Sequence, residues 1–117
     1  MYYCAMYSKE LLKGTLSAII LNLLAENGKM YGYEIFQKVK ELSDEKIILK
    51  DGSLYPALQK MAKDGLVEFE EQHIGKRVRK YYFLTAKGKE KKVEYLEELK
   101  DFIATINHIV FPKISMA

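Results

Sequence analysis

Two neighbouring segments carry side chains suited to holding an anion. Ser53-Leu54-Tyr55-Pro56-Ala57-Leu58-Gln59-Lys60-Met61-Ala62-Lys63 alternates apolar residues with hydroxyl, amide and ammonium groups, and Lys76-Arg77-Val78-Arg79-Lys80-Tyr81-Tyr82 gathers four cations within five positions. Clustered cations attract phosphates and supply salt-sensitive affinity for nucleic acid. A glutamine amide can pair with adenine edges, and a lysine with guanine edges or phosphates. From Lys76 to Lys92 eight Lys/Arg stand against one acid, Glu90. Over all 117 residues, 19 Lys+Arg against 16 Asp+Glu leave a net charge of only +3. The positive field is therefore local.

Other chemistries lack their parts. No nucleophile has a neighbouring base and no glycine-rich phosphate loop is present, so an enzyme is not expected. Cys4 is the only cysteine and His73 and His108 the only histidines, which rules out an internal disulfide framework and gives no metal-ligand spacing. Neither a metal nor a cofactor is expected. Asp51 and Asp64 sit where helix caps belong, His73 falls in a turn, and His108 lies near a helix end. No role is assigned to Cys4 or to Tyr2 and Tyr3.

Composition describes an ordinary globular chain of one domain, 49% hydrophobic and 30% charged. No apolar run approaches the roughly 20 residues needed to span a bilayer. The start, Met1 to Tyr7, lacks the basic lead and long apolar centre of a secretory signal. Cytoplasm is the expected compartment, with no membrane partner.

The elements that must position the two segments follow from periodicity. Ser8 to Asn27 reads as a first helix, with Leu12, Leu16, Ile19, Ile20, Leu23 and Leu24 at helical spacing. Leu11, Ala18 and Leu21 lie off that stripe, as though the helix touches both its own domain and a partner subunit. Tyr31-Gly32-Tyr33-Glu34 opens a second helix carrying Ile35, Phe36, Val39 and Leu42 inward. Ile47-Ile48-Leu49 is either a short strand or a packed connector. A third helix begins near Asp51 to Ser53, either of which can cap it, and stops at Asp64-Gly65.

Leu66 to Gln72 and Val78 to Leu84 read as antiparallel strands around a His73-Ile74-Gly75 turn. Thr85 is a candidate N-cap for a last helix running to about Val110. Its Leu96, Leu99, Ile103, Ile106 and Val110 step by three and four, and Tyr95, Phe102 and Ile109 form a second stripe. So wide an apolar face is hard to bury within one small domain. A homodimer in which this helix packs on the partner's first helix is the expected solution. The expected fold is mainly α with a small β-hairpin: a winged helix-turn-helix domain over residues 8–86 and a C-terminal dimerisation helix over 87–112.

With Leu54, Leu58, Met61 and Ala62 facing inward, the third helix turns Ser53, Pro56, Gln59, Lys60 and Lys63 outward, toward a major groove. The hairpin projects Lys76, Arg77, Arg79 and Lys80 as one positive unit, toward backbone or minor groove. An exposed polar helix face is common on any protein; helix and basic hairpin together point to double-stranded DNA.

Leu12-Lys13-Gly14-Thr15-Leu16, Tyr31-Gly32-Tyr33-Glu34-Ile35, Gly52-Ser53-Leu54-Tyr55-Pro56-Ala57-Leu58, Asp64-Gly65-Leu66-Val67 and Arg79-Lys80-Tyr81-Tyr82-Phe83-Leu84-Thr85 occur in that order. Across about residues 9 to 90 the chain resembles the PadR family of bacterial transcription regulators. The resemblance implies a winged helix, a homodimer joined through its terminal helices, and a roughly two-fold symmetric, pseudo-palindromic operator, usually bound as a repressor. The single C-terminal helix is similar to the family's small subfamily. By matching motif, residues 53–63 would be the recognition helix, Tyr31 and Tyr33 would flank it, and Tyr55 would either pack in the core or meet phosphate. Leu12, Leu16, Leu96, Leu99, Phe102, Ile103, Ile106 and Val110 would join the subunits.

Some small members hold flat hydrophobic drugs between tryptophans at the dimer centre. This chain has no Trp, and Leu99 and Phe102 stand in that region. Tyr95, Leu99, Phe102 and Met6 are candidates for lining a hydrophobic effector cavity, with packing the alternative. Two other functions fit the pattern less simply: a winged-helix module that binds another protein, and a sensor of hydrophobic or phenolic compounds.

Overall fold

The computed structural model describes residues 7–115, so Met6, Cys4 and the Tyr2-Tyr3 segment lie outside the described residues. The elements are α1 (Lys9–Lys13), α2 (Leu16–Asn27), α3 (Gly32–Leu42), α4 (Asp51–Lys63), β1 (Val67–Ile74), β2 (Arg77–Leu84), α5 (Ala86–Val110) and α6 (Pro112–Ser115).

The expected first helix is two. Ser8 caps α1 by accepting from the Leu11 amide, and the Thr15 hydroxyl and amide both donate to the Leu12 carbonyl, closing α1 before α2 begins. Ala18 and Leu21 are buried along with Ile20, Leu23 and Leu24, because α4, β2 and α5 pack around α2. Two of the three residues off the stripe are thus covered by their own chain; only Leu11, 70% exposed, is left outward.

α3 buries Ile35 and Val39, and Glu34 accepts from the Tyr31 amide at its start. Residues 47–50 form an irregular connector, not a strand. Lys50 occupies the N-cap of α4 without a side-chain bond, so neither Asp51 nor Ser53 caps it. Both lie inside the first turn of the helix, at its first and third positions. Pro56 falls in the second turn, beyond the position where a missing N–H is harmless. Gly52, whose carbonyl loses that bond, is exposed to water.

Leu54, Leu58 and Met61 join Ile20, Leu21, Leu24, Ile35 and Val67 in one core. Each such side chain contributes roughly 1.5–3 kcal/mol on burial. The sheet is a single antiparallel hairpin, paired from Val67↔Leu84 to Ile74↔Arg77. Gly75-Lys76 is therefore its whole turn, and Gly75 sits at φ 63, as a primed turn with glycine first requires. A bridge from Met30 to Tyr82, with amide–carbonyl distances of 3.0 and 2.8 Å, ties the approach to α3 onto the hairpin.

α5 is anchored at its start. Thr85 accepts from the Gly88 amide at 3.0 Å and donates to the Gly65 carbonyl at 2.7 Å. A side chain at Gly88 would collide with the Leu66 carbonyl, so helix and loop touch backbone to backbone. From there α5 runs its 25 residues, about 37 Å at 1.5 Å per residue. The molecule is accordingly elongated, 56 × 38 × 21 Å.

Candidate nucleic-acid interface

The face of α4 opposite the core presents Ser53, Pro56, Gln59, Lys60 and Lys63, all exposed. Lys60 is held by Asp64 at 3.2 Å, one turn along. Lys63 has the freer ammonium of the pair by that measure. Between α4, the start of α3 and the hairpin lies an open cleft of about 630 Å³. Tyr31, Tyr33 and Tyr55 line it from the helices, Gln59 from α4, and Val78, Arg79, Lys80 and Tyr82 from β2. The structure thus gathers the amide, the aromatic groups and two of the hairpin cations around one space.

Tyr55 is packed at one end and open at the other. The hydroxyl end of its ring lies close to the backbone of Gly32, where a Cβ would stand 2.5 Å from the hydroxyl, yet the residue keeps 40% exposure. Tyr33, 59% exposed, stacks on Phe36 with ring centroids 5.8 Å apart.

The hairpin cations do not project as a unit. Strand residues alternate faces, so Arg77 and Arg79 share one face of β2 and Lys80 takes the other. Arg79 turns back onto Tyr31, its guanidinium 4.4 Å from the ring centre, and Tyr31 meets Tyr81 edge-on at 5.2 Å. A hydrogen bond with the Tyr81 side chain, aided by the nearness of Tyr31, Tyr81 and Glu34 and opposed by desolvation, raises Arg79 above the ordinary guanidinium pKa. Lys80 stands 4.7 Å over Phe69, opposite Glu71 across the strands. Lys76 in the turn and Arg77 beside it remain outward at the tip.

The opposite strand is acidic. Glu68, Glu70 and Glu71 lie along β1, and Glu70 pairs with Lys29 at 2.8 Å, whose ammonium also lies over Phe83. Within the hairpin, positive charge is confined to the tip and β2. The role of Lys29, the Glu71–Lys80 pairing and the close approach of Tyr55 to Gly32 are not legible in the sequence; each joins residues separated along the chain, and only the glycine between two tyrosines carries a local signal.

The expected subunit contacts divide into two groups. Leu16 packs partly on the core and, with Leu12, lines a second cleft of about 630 Å³ that also includes Ile47 to Lys50 and Ser53. Leu96 and Leu99 are half-buried in their own protomer, whereas Phe102, Ile103, Ile106 and Val110 stand 38–59% exposed. Of the candidate effector residues, Tyr95 packs against its own core, Leu99 is half-buried and Phe102 is exposed. Among the described residues no helix is long and apolar enough to cross a membrane.

Residues 20–94 match the family model described as the transcriptional regulator PadR-like family. A transcriptional regulator from Clostridium thermocellum is 31% identical with a TM-score of 0.81, covering 86% of this chain and 98% of that one. A PadR-like transcription factor from Bacteroides fragilis is 34% identical with a TM-score of 0.71, over 87% of this chain and 96% of that one. Bacillus subtilis PadR, solved in complex with operator DNA, is 32% identical with a TM-score of 0.63, over 69% of this chain and 46% of that one. A protein of uncharacterised function from Lysinibacillus sphaericus is 32% identical over 108 residues, 90% of this chain and 93% of its own length.

Proposed function

Because the chain belongs to the PadR-like family of transcriptional regulators, non-enzymatic proteins that bind DNA, we propose that it acts as a homodimeric repressor on a pseudo-palindromic operator. α4 enters the major groove with Ser53, Gln59 and Lys63, and the hairpin tip places Lys76 and Arg77 on the flanking backbone. The observation that carries this reading is the shared cleft: Gln59 of α4 and Arg79 and Lys80 of β2 border one open space with Tyr31, Tyr33 and Tyr55 between them, and Glu71 is its one acid. That Bacillus subtilis PadR is solved in complex with operator DNA supports an operator duplex as the partner. Residues 8–86 serve as the reading domain and 87–112 as the dimerisation helix, whose exposed Phe102, Ile103, Ile106 and Val110 meet the partner.

Phosphate contacts make affinity fall with salt, each contributing about 0.9 to the slope of log K against log salt. Binding of duplex DNA should therefore weaken steeply as salt rises. Neutralising Lys76 and Arg77 together should flatten that slope in an anisotropy titration. An affinity indifferent to salt, or a slope unchanged in the double variant, would remove the hairpin tip from the interface.

A hydrophobic effector is a second reading. Its support is the cleft beside Leu12 and Leu16, which reaches the connector into α4 and Ser53. A ligand bound only by the folded form raises the melting temperature, and a screen of phenolic compounds that yields no shift would count against it.

A further inference from the structure

Three consecutive residues, Met30, Tyr31 and Gly32, touch both reading elements, the first two the hairpin and the third α4. The Met30 backbone bonds Tyr82 in β2 through both its amide and its carbonyl. The Tyr31 ring carries the Arg79 guanidinium at 4.4 Å and the Tyr81 ring at 5.2 Å. The backbone of Gly32 is the seat of the Tyr55 ring from α4. α4 also meets the base of the hairpin directly, where Leu58 and Met61 share the core with Leu66 and Val67, but the outer half of the hairpin has no such hold: Ile74 and Val78 are exposed. The entrance to α3 is thus the second tie between helix and hairpin, and the one that reaches Arg79.

We propose that Tyr31-Gly32 is a positioning hub that sets the angle between the recognition helix and the wing, and that Arg79 acts on DNA affinity through Tyr31, not as a phosphate contact. This rests on the operator-binding reading and deepens it. Arg79 is the one hairpin cation whose charged group is committed to an aromatic face on another element. Lys76 and Arg77, at the tip, have no such partner among the interactions described, and Lys80 leans on Phe69 of its own hairpin. A planar guanidinium stacks on a ring in a way an ammonium does not reproduce, whereas either cation serves as a point charge for phosphate. Arg79→Lys therefore separates the two roles.

The test has two arms, using the intact protein. In the first, binding is measured to a fluorescein-labelled duplex enriched from a random pool and to a shuffled duplex of the same composition, across a salt series. Arg79→Lys should lose about fivefold on the enriched duplex with its salt slope intact, the size expected of a lost cation–π contact. Tyr31→Leu should show the same loss, Tyr31→Phe should retain wild-type affinity, and the Arg79→Lys/Tyr31→Leu double variant should be no weaker than either single change. In the second arm, NMR relaxation of the Lys76 to Arg79 backbone amides without DNA should show greater mobility in Arg79→Lys and Tyr31→Leu, but not in Tyr31→Phe. Wild-type affinity in Arg79→Lys, with a flattened salt slope in Arg79→Gln, would make Arg79 a phosphate contact and overturn the hub. Unchanged amide mobility in both variants would overturn it as well. Should the wild-type protein bind neither duplex, the operator reading fails alone, and the relaxation arm still decides the hub.

Discussion

The two ends of this molecule treat apolar surface in opposite ways. Between Leu16 and Leu84, the aliphatic side chains of α2, α3, α4 and the base of the hairpin close around one another, and Ile20, Leu21, Ile35 and Leu58 are fully buried. Beyond Leu99, α5 carries residues of the same kind with nothing over them: Phe102 is 59% exposed and Ile109 70%. Exposed apolar faces of this breadth mark interaction surfaces. One end is a closed core and the other leaves its apolar face uncovered in the single chain; under the proposed reading, that open face joins two copies and holds two reading heads at a fixed separation.

The comparison breaks most visibly at the closed end. Leu58→Ala should cost about 2–5 kcal/mol by chemical denaturation, from lost transfer energy and the cavity left behind. A loss below 1 kcal/mol would mean that the core is looser than its burial indicates. At the open end, Ile103→Asp should leave the winged helix folded while converting a dimer to a monomer in analytical ultracentrifugation. It should also weaken duplex binding by more than about tenfold, since two linked heads bind far better than one. An unchanged dimer would refute the proposed interface.

Gly32→Ala sharpens the distinction within the closed end. The new methyl would stand under 3 Å from the Tyr55 hydroxyl and from two of its ring carbons, so the ring must shift, and at the first position of α3 alanine offers little helix propensity in return. Affinity for an enriched duplex should fall severalfold while melting temperature falls only slightly; a large loss of melting temperature that accounts for the lost affinity would reduce Gly32 to scaffolding. The smallest effect lies at the border, where Tyr82 is 5% exposed. Burial, with Tyr55 nearby, raises its phenol above the ordinary 10.0. Below that value the phenol is neutral in both folded and unfolded chains, and its stabilisation is complete. As pH climbs through the folded pKa the unfolded chain has already ionised, so stability is lost. Tyr82→Phe should flatten the decline of melting temperature above pH 10.0; an identical decline would place the alkaline sensitivity elsewhere.

Much of the fold was legible because its signals are local. The 3.6-residue period of α4 and α5, the Asp64-Gly65 stop and the Thr85 cap were all readable from neighbours in sequence, and all stand in the structure. The break at Gly14-Thr15 was not, since it depends on Thr15 bonding back to Leu12 within a continuous apolar pattern. Lys50 displaced Asp51 and Ser53 as the cap because the connector packs Leu49 into the core and fixes where the helix can begin. Asp44 and Glu45 adopt φ 52 and 64, conformations that side chains other than glycine enter seldom; nothing in their types announced it. In the interface, the residue types were apparent but their commitments were not. Arg79 reads as one more cation until Tyr31, far away in sequence, is brought beneath it. Likewise, counting charges from Lys76 onward passed over the three glutamates of β1 that bound the positive field.

The central claim is that two copies present paired heads to one duplex. Selection of bound fragments from a pool of random double-stranded DNA tests it most directly. The account predicts enrichment of an inverted repeat whose half-sites lie about one helical turn, 10–10.5 bp, apart. Enrichment of a lone unrepeated half-site, or no enrichment over the starting pool, would contradict it.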